Sequence, residues 1–405
     1  MKIFYFGSVC ANEIFNETVA QSRVKPSASA QSFESALMSG FSQFSDVQVT
    51  AISAESIAMY PGGNRLFLRK RMDQLTPCIS TTILSAINLP GIKQINHAHG
   101  AARALKKWLR QNHKDANKCV LVYGLYPQVV DRLLKICNHH KCKIYAIITD
   151  VPSTMFTYTK SKNIVKRLFS KSFRKKAISL QDKFDGYIYL TKQMSEAVAP
   201  DKPYTVVEAI ADTDIFSKIP SISKSQPPAL MYAGALYKKY GLDLILDTFE
   251  QMESDCQLWL FGSGDYEEEI KKRSKNNPKI KFYGRVSRDE VLKKETEATV
   301  LLNIRNAEDE YTQYSFPSKM IEYMLSGTPL YTSKLSGVPD EYDNYCFITK
   351  QRDAKNMAQQ LDAILQTEDL QAIGDHARRF VINEKNAQNQ AKKITTFLKE
   401  HVHKG

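Results

Sequence analysis

Short runs of β-branched and aromatic residues alternate with amphipathic helical patterns along most of the 405-residue chain. Each run is almost continuously apolar, which is typical of strands in a parallel sheet that helices cover on both faces. In the first half, the runs that predict strands are residues 2–8, 47–53, 119–124, 143–150, 186–191 and 204–209. In the second half, they are residues 230–234, 257–264, 280–284, 299–305, 329–333 and 345–349. The pattern therefore predicts an α/β protein.

A segment rich in Ser and Pro separates the two groups of runs. Residues 216–228 show no periodicity, so we predict that they link two domains. We expect residues 1–215 and residues 229–385 each to form a Rossmann-like, doubly wound domain, with the two domains facing a central cleft. A final helical pattern at about 386–405 is predicted to pack back on the first domain. Ligands of such sheets bind beyond the carboxyl ends of the strands, which is where we look for function.

The composition excludes several classes of protein. Apolar residues make up 43% of the chain and charged residues 24%, close to globular averages, which excludes a largely disordered chain. No stretch has the ~20 apolar residues that cross a bilayer, and the first residues predict a strand rather than a signal peptide. The seven cysteines include no Cys-x-x-Cys pair, which favours free thiols in a reducing compartment. The sequence thus predicts a cytoplasmic protein.

Positive charge is confined to the first half of the chain. Residues 1–210 carry 29 Lys and Arg against 14 Asp and Glu, whereas the remainder carries 27 against 29. The densest run, 160–176, has apolar residues at helical spacing, including Phe169 and Phe173, and predicts a basic amphipathic helix. A second basic cluster comprises Arg65, Arg69, Lys70 and Arg71. A solvated helix face and an anionic membrane surface both explain the long run, and without a recognition motif we predict no nucleic-acid partner.

The stretch YSFPSKMIEYMLSGTPL, residues 314–330, predicts a short amphipathic helix that begins at Pro317 and ends before Gly327. Proline is favoured at the first helical position, Ser315 can cap the entry, and glycine suits the left-handed residue at the end. One arc of this helix is apolar and is predicted to face the core: Met320, Ile321, Met324 and Leu325. The opposite arc is polar: Ser318, Lys319, Glu322, Tyr323 and Ser326.

The polar arc allows two interpretations. Lys319 and Glu322 are a surface pair three residues apart, or Lys319 neutralises a phosphate at the helix start while Glu322 accepts ribose hydroxyls. Two glycine-rich turns that follow strands favour the second interpretation. They contain Gly234, Ala235, Lys238, Lys239 and Gly241 in one case and Gly262 and Gly264 in the other. Three strand–turn–helix units with amides and lysines at one sheet edge predict a nucleotide diphosphate site.

In these motifs the sequence resembles glycosyltransferase family 4, in its bacterial polysaccharide-assembly branch, which has the GT-B fold. The motifs YAG-x-L…YG-x-x-x-x-L, LFGSG, FYGRVS, FPSKMIEYMLSGTPL and SGVPDE follow one another in the family's order across residues 230–345. In the first half, KPSASAQSFESALMSGF (25–41) and TDVPS (149–153) agree more loosely. The resemblance therefore covers most of the chain, and is firmest in the second half.

The resemblance implies an activity. It implies a retaining glycosyltransferase of the hexosyltransferase type, which moves a sugar from a nucleotide-diphosphate sugar, with a UDP-sugar favoured. The acceptor would be lipid-linked or a saccharide, in surface polysaccharide or glycan biosynthesis. The protein would then work at the inner face of the cell membrane as a peripheral protein on an anionic surface. No cofactor and no metal ion would be required.

The resemblance also implies roles for residues. Glu322 matches the second glutamate of the family's Glu-x7-Glu motif, which holds the ribose, but Tyr314 replaces the first glutamate, which meets the donor sugar. Ala235 and Tyr240 stand where the family has a diphosphate-binding Arg and Lys, so Lys238, Lys239 or Lys319 would supply that charge. The full predicted donor site is Gly234, Ala235, Lys238, Lys239, Gly262, Gly264, Arg285, Val286, Tyr314, Ser315, Phe316, Pro317, Ser318, Lys319 and Glu322.

The first half is predicted to bind the acceptor through Lys25, Pro26, Ser27 and Asp150. Asp150 ends a strand where many relatives carry a histidine facing the sugar, although an aspartate there also caps turns. The predicted catalytic residues are Asp150, Lys319 and Glu322. His97 and His99 are interpreted as structural, so we predict no metal site.

Two other functions stay open. A nucleotide-sugar 2-epimerase shares the architecture but needs carboxylates around the sugar, and Tyr314 argues against it. The departures at Ala235, Tyr240 and Tyr314 also leave open a non-catalytic protein that binds nucleotide sugars.

Overall fold

The computed structural model describes residues 1–153, 164–217, 219–220 and 222–403. The chain divides into two units: unit 1 comprises Met1–Ile210 and Ala387–Gly405, and unit 2 comprises Ala211–Asn386. Each unit is built on a largely parallel sheet with helices between successive strands. The predicted fold class, α/β with two Rossmann-like doubly wound domains, is confirmed.

Unit 1 contains a sheet of eight strands. The strands of this unit are β1 (Lys2–Gly7), β2 (Gln48–Ser53), β3 (Phe67–Leu68), β4 (Arg71–Thr76), β5 (Ile79–Ile83), β6 (Ala86–Ile87), β7 (Lys118–Tyr123), β8 (Ile144–Ile148), β9 (Gly186–Tyr189) and β10 (Tyr204–Val206). Its helices before the boundary are α1 (Asn12–Ala20), α2 (Ala28–Ser42), α3 (Ile92–Gln111), α4 (Pro127–His140), α5 (Ile164–Leu180) and α6 (Met194–Val198). The sheet order is β10-β9-β8-β7-β1-β2-β5-β4, and β3 pairs separately with β6.

All six strands predicted in the first half are present. The structure adds four that we missed, namely β5 and the edge strand β4 in the large sheet and the separate pair of β3 and β6. Strand β4 runs antiparallel to β5, whereas the other pairs of this sheet are parallel. The residues of β4 are exposed or half-buried along its length, including Arg71, Asp73 and Gln74. An edge strand of this kind has no continuous apolar run, because only inner strands are buried on both faces.

Unit 2 contains a fully parallel sheet of six strands. The strands are β11 (Ala229–Ala235), β12 (Gln257–Ser263), β13 (Ile280–Gly284), β14 (Val300–Asn303), β15 (Leu330–Thr332) and β16 (Phe347–Ile348). The helices are α7 (Leu242–Phe249), α8 (Glu267–Asn276), α9 (Arg288–Glu297), α10 (Glu310–Gln313), α11 (Lys319–Leu325), α12 (Ala354–Leu365) and α13 (Leu370–Glu384). Two 3₁₀ turns span Lys238–Tyr240 and Asp340–Tyr345. The order β13-β12-β11-β14-β15-β16 reverses between β11 and β14, which makes that pair the topological switch point.

The chain leaves unit 2 to end in unit 1. The last helix, α14 (Ala387–His401), packs on α2, and Ile394, Phe397 and Leu398 join the core of unit 1. The two helices approach closely at Gly40, where a Cβ atom would lie 2.1 Å from the carbonyl oxygen of Ala387.

The boundary between the units precedes the predicted linker. Ala211 donates a backbone hydrogen bond of 2.8 Å to the carbonyl of Lys385, so the entry and exit of unit 2 are paired. The described residues of 216–228 consequently lie in unit 2.

The predicted basic helix is α5, but its first part lies outside the described residues. Residues 160–163, and the side chains of 164–169 with Phe169 among them, belong to that part. Further along, Lys171 and Lys175 are exposed, whereas Ala177 and Leu180 are buried. Phe173 is half-buried rather than fully exposed. None of the helices in the described part of the chain is long and apolar enough to cross a membrane.

Candidate functional site

The switch point of unit 2 is built by backbone turns in very close contact. Gly234 has a φ of +148°, and a Cβ atom there would lie 1.5 Å from the Nζ atom of Lys319. A Cβ atom on Gly262 would lie 1.7 Å from the carbonyl oxygen of Gly234, and one on Gly264 would lie 2.2 Å from that of Leu236. These turns can approach so closely because each of the three positions is a glycine. A side chain at any of them would overlap neighbouring atoms.

Helix α11 is anchored so that Lys319 lies against this turn. The buried hydroxyl of Tyr323 donates to the carbonyl of Ala233 (3.1 Å) and accepts from its amide (2.9 Å). The Nζ atom of Lys319 lies 4.4 Å from the centre of the Tyr232 ring, within the range of a cation–π interaction. The helix thus holds the amine beside the end of β11.

A second cation reaches the same place from β14. Arg305 follows that strand by two residues, and its guanidinium lies 5.2 Å from the centre of the Tyr240 ring. Burial, followed by the charge of Arg305, lowers the pKa of Lys319 from 10.5 to about 7. The two positive charges repel each other, and an anion bound beside both would offset that repulsion. This pair of side chains can therefore bind a phosphate.

The carboxylate of Glu322 lies on the next turn of α11. Its Oε2 atom forms an ion pair of 3.0 Å with Arg288, and its side chain is 28% exposed. The partly open carboxylate can accept further hydrogen bonds, for example from a diol.

Glu295 on α9 is a fully buried acid beside this group. Neither of its carboxylate oxygens has a hydrogen-bond partner among the described residues. Burial, followed by the charge of Glu322, raises the pKa of Glu295 well above the ordinary 4.5, while Lys319 opposes that shift. The raised pKa favours the protonated form of Glu295, which can donate a hydrogen bond to Glu322.

The start of α11 differs from the prediction. The helix begins at Lys319, two residues after Pro317, and Ser318 precedes it without a side-chain capping bond. Ser315 does not cap it either, because the turn before the helix closes from the amide of Met320 to the carbonyl of Pro317 (2.8 Å). The polar arc is also narrower than predicted, since Tyr323 and Ser326 are buried. Of that arc, Ser318, Lys319 and Glu322 retain exposure.

Other predicted donor residues lie further from this group. Lys238 is 71% exposed and is paired with Asp243 at 3.9 Å, and Lys239 lies over the rings of Tyr237, Tyr240 and Tyr311. Arg285 is exposed beyond β13 and Val286 is half-buried, and it is Arg288 that contacts Glu322.

The segment before α11 is partly core. Phe316 and Pro317 are buried, and the Phe316 ring lies 5.3 Å from that of Tyr342. Tyr314 and Ser315 are half-buried, and Ala235 is half-buried at the end of β11. The side chain of Phe316 thus stabilises unit 2, and any contact of this segment with a ligand would come from its backbone or from Tyr314 and Ser315.

The predicted acceptor residues lie in unit 1, at the carboxyl edge of its sheet. Ser27 caps α2 by accepting from the amide of Ala30 (3.2 Å), and Lys25 donates to the carbonyl of Val19 (2.7 Å). Pro26 is half-buried between them. Asp150 is exposed two residues after β8, and its carboxylate accepts from the hydroxyl of Thr149 (3.2 Å).

In the part of the chain that the structure describes, no group of three or more His, Cys, Asp or Glu side chains is arranged to hold a metal ion. His97 is buried, and His99 lies elsewhere on α3, in the wall of a groove.

Sequence reasoning missed Arg305, Arg288 and Glu295. Arg305 carried a signal, because it is a cation just beyond a predicted strand of the second half. Arg288 and Glu295 carried none, since a charged residue on a helix is usually solvated and their partner lies on another helix.

Comparison with known proteins finds a similarity to glycosyl transferases in unit 2. Residues 227–367 match the family model described as Glycosyl transferases group 1. No curated protein matches the chain in sequence. The matched residues lie within unit 2, which contains the switch point.

Solved structures match over nearly the whole chain. HepE from Anabaena, solved with UDP, has a TM-score of 0.58 at 13% identity and covers 99% of this chain and 100% of its own. The UDP-forming α,α-trehalose-phosphate synthase from Burkholderia xenovorans has a TM-score of 0.63 at 12% identity, with 98% and 99% covered. The lipopolysaccharide outer core galactosyltransferase WaaB has a TM-score of 0.59 at 12% identity, again with 98% and 99% covered. The chain has the GT-B glycosyltransferase fold, and its placement in family 4 remains a prediction.

Proposed function

We propose that this protein transfers a sugar from a nucleotide-diphosphate sugar to a hydroxyl group, with retention of configuration. The observation that carries the proposal is the pair of cations, Lys319 and Arg305, beside the glycine turn at the β11–β14 switch point. A diphosphate there would have both charges and the turn amides as partners. The family match of unit 2 supports this assignment.

A UDP-sugar is the favoured donor. HepE, which shares the fold, has been solved with UDP and with UDP-glucose. In the proposed complex Glu322 accepts hydrogen bonds from ribose hydroxyls with the oxygen that its pairing with Arg288 leaves free. Tyr314 would stand near the sugar in place of a carboxylate.

The proposed reaction breaks the bond between the anomeric carbon and the diphosphate oxygen. The acceptor hydroxyl oxygen bonds to that carbon from the same face, and its proton passes to the leaving phosphate. Negative charge grows on the diphosphate in the transition state, so Lys319 and Arg305 stabilise the transition state more than the ground state. These two side chains supply the positive charge, and we propose that no metal ion or other cofactor is needed.

The proposed acceptor is lipid-linked or a saccharide, bound by unit 1 near Asp150. The basic residues of 160–176 support our proposal that the protein works at the inner face of the cell membrane, as a peripheral enzyme of polysaccharide or glycan assembly. A hexose is the proposed sugar.

The test begins with thermal-shift screening of nucleotide sugars, with EDTA present in one arm. The donor that stabilises the protein is then incubated without acceptor, and products are followed by proton NMR. Slow hydrolysis that first releases the α-sugar from an α-linked donor, unchanged by EDTA, is the expected result. Inversion at C2 would identify an epimerase instead, and tight binding without any turnover a non-catalytic binding protein.

A further inference from the structure

The turn that follows β11 packs against the backbone just beyond β14. This 3₁₀ turn, Lys238–Tyr240, ends at Gly241, where φ is +78°. A Cβ atom at Gly241 would lie 2.3 Å from the carbonyl oxygen of Ile304, the residue before Arg305. Because Gly241 has no side chain, the two backbones can touch, and Tyr240 becomes a neighbour of Arg305 although the two are distant in the chain.

Both sides of this contact are anchored. The amide of Arg305 donates to the hydroxyl of Ser333 (3.1 Å), which directly follows β15. The amide of Tyr240 donates to the carbonyl of Tyr237 (2.9 Å), and the side chain of Tyr240 is half-buried against the core of unit 2. The guanidinium of Arg305 lies 5.2 Å from the centre of the Tyr240 ring, within the range of a cation–π interaction. An aromatic ring anchored in this way can hold the guanidinium in one place.

The other cation of the site also has a tyrosine of its own. The Nζ atom of Lys319 lies over the ring of Tyr232, whose hydroxyl donates to the carbonyl of Ala235 (3.0 Å). Burial raises the pKa of the Tyr232 hydroxyl, and the nearby charge of Arg305 opposes that rise. Arg305 therefore lies close to Tyr232 as well as to Tyr240, and the two cations and the two rings form one group.

We propose that Tyr240 is a positioning residue, which holds the guanidinium of Arg305 beside Lys319 so that both cations meet one diphosphate. The inference rests on the proposed function of this site. The resemblance implies a lysine at position 240 and an arginine at position 235 as direct diphosphate ligands, but the chain has Tyr240 and Ala235 there. In the proposed site Arg305 supplies the missing charge from the end of β14, and Tyr240 acts through Arg305 rather than on the ligand.

The position of Arg305 can be measured in the protein without a ligand. Burial, followed by the charge of Arg305, lowers the pKa of Lys319, whereas the charges of Glu322 and Glu295 raise it. A guanidinium that is no longer held beside Lys319 would lower that pKa less. Loss of the Tyr240 ring should therefore raise the pKa of Lys319, and a ring that only fills space in the core would not cause such a rise.

NMR titration of the ligand-free protein tests the position of Arg305. Lysines are labelled with ¹³C at Cε, and the signal of Lys319 is assigned by its absence in Lys319→Gln. Tyr240→Leu should raise the pKa of Lys319 by roughly 0.5–1. Arg305→Gln should raise it at least as much, and Tyr240→Leu should add nothing in that background. Tyr237→Leu, in the same turn, is the matched control and should leave the pKa of Lys319 unchanged.

Calorimetry with UDP tests whether the held cation serves the ligand. Tyr240→Leu should weaken UDP binding by roughly tenfold, and Tyr240→Phe by less than about twofold, because phenylalanine keeps the ring. A fluorinated phenylalanine at position 240 keeps the shape of the ring but removes its negative face, so it should weaken binding as much as leucine does. Circular dichroism checks the fold of each variant, and the fluorinated ring decides the question if Tyr240→Leu does not fold.

Three outcomes would overturn the proposal. The same pKa of Lys319 in the wild type and in Tyr240→Leu would mean that the ring does not hold Arg305 beside Lys319. Equal effects of Tyr240→Leu and Tyr237→Leu would mean that any change in the turn disturbs the site. A raised pKa with unchanged UDP affinity would mean that the held cation does not contact the diphosphate. A wild type that binds no UDP would instead count against the proposed function, while the NMR titration would still show whether Tyr240 holds Arg305.

Discussion

A fully buried glutamate lies beside the switch point of each unit, Glu34 in unit 1 and Glu295 in unit 2, and the two differ in their hydrogen bonds. Glu34 in unit 1 accepts hydrogen bonds from the Tyr5 hydroxyl (2.7 Å), from the Ser8 amide (2.9 Å) and from the Ser8 hydroxyl. Glu295 in unit 2 accepts none among the described residues. Equal burial therefore does not mean an equal role. The hydrogen bonds that Glu34 accepts stabilise the fold, whereas the neighbour of Glu295 is another acid, Glu322, which raises its pKa.

The surroundings of the two acids differ in charge as well. In unit 1 the order reverses between β1 and β7, and Glu34 lies there with tyrosines around it. In unit 2 the equivalent place holds Lys319 and Arg305. The same topology thus produces a switch point held by hydrogen bonds to Glu34 in one unit and a cationic one, suited to phosphates, in the other. Four variants test this difference, and the two tryptophans, one in each unit, allow each unit to be followed separately.

Glu34→Ala should have the largest effect. It leaves three buried donors without an acceptor, each worth about 1–3 kcal/mol, so unit 1 should lose roughly 3 kcal/mol or more of unfolding free energy. Urea unfolding followed by Trp108 fluorescence, in a Trp259→Phe background, measures the loss. The Trp259 signal, in a Trp108→Phe background, is the control and should change much less. An unchanged unfolding free energy of unit 1 would mean that Glu34 does not stabilise the fold.

Lys319→Gln should weaken UDP binding by roughly 100-fold, since a charge-assisted contact is worth about 1.5–3 kcal/mol. The pKa of Lys319 is lowered to about 7, so the free protein loses the binding-competent charge as the pH rises. UDP affinity in the wild type should therefore fall above pH 7, and this dependence should disappear in the variant. Calorimetry from pH 6 to pH 9 measures both. Lys238→Gln, at an exposed residue, is the control, and an equal loss there would move the diphosphate contact to Lys238.

Glu322→Ala should weaken UDP binding by about 10-fold or somewhat more, because hydrogen bonds from ribose to a charged acceptor are lost. Arg288→Gln sharpens the test, since it frees Glu322 from its ion pair and should leave UDP affinity unchanged or higher. Glu290→Ala, at an exposed glutamate of α9, is the matched control. Affinity unchanged by the loss of Glu322 would exclude it from the site.

Glu295→Gln should have the smallest effect, and one that depends on pH. Because the pKa of Glu295 is raised, the folded state binds its proton more tightly than the unfolded state does. Its contribution to stability is therefore complete below about pH 4.5 and is lost as the pH rises toward the raised pKa. The variant should match the wild type in unfolding free energy at pH 4.5 and should be the more stable of the two at pH 8. Urea unfolding followed by Trp259 fluorescence measures the unfolding free energy of both proteins at each pH. A difference between them that stayed constant with pH would contradict this prediction.

Much of the fold and the outline of the site could be predicted from the sequence, since both rest on local patterns. Twelve strands were predicted from continuous apolar runs, and α11 was predicted from its apolar arc, although its first residue was placed two positions early. The glycines at 234, 262 and 264 were predicted for the same reason, because a strand-to-helix turn is local in the chain.

Only the tertiary structure decided which side chains act together. Strands β11 and β14 are neighbours in the sheet although two other strands lie between them in the chain, and this brings Arg305 to Lys319. The charge of Arg305 on Lys319, and the burial of Glu295 beside Glu322, have no trace in a pattern of residue types. A pKa depends on distance and burial in space, and the sequence determines these only through the complete fold.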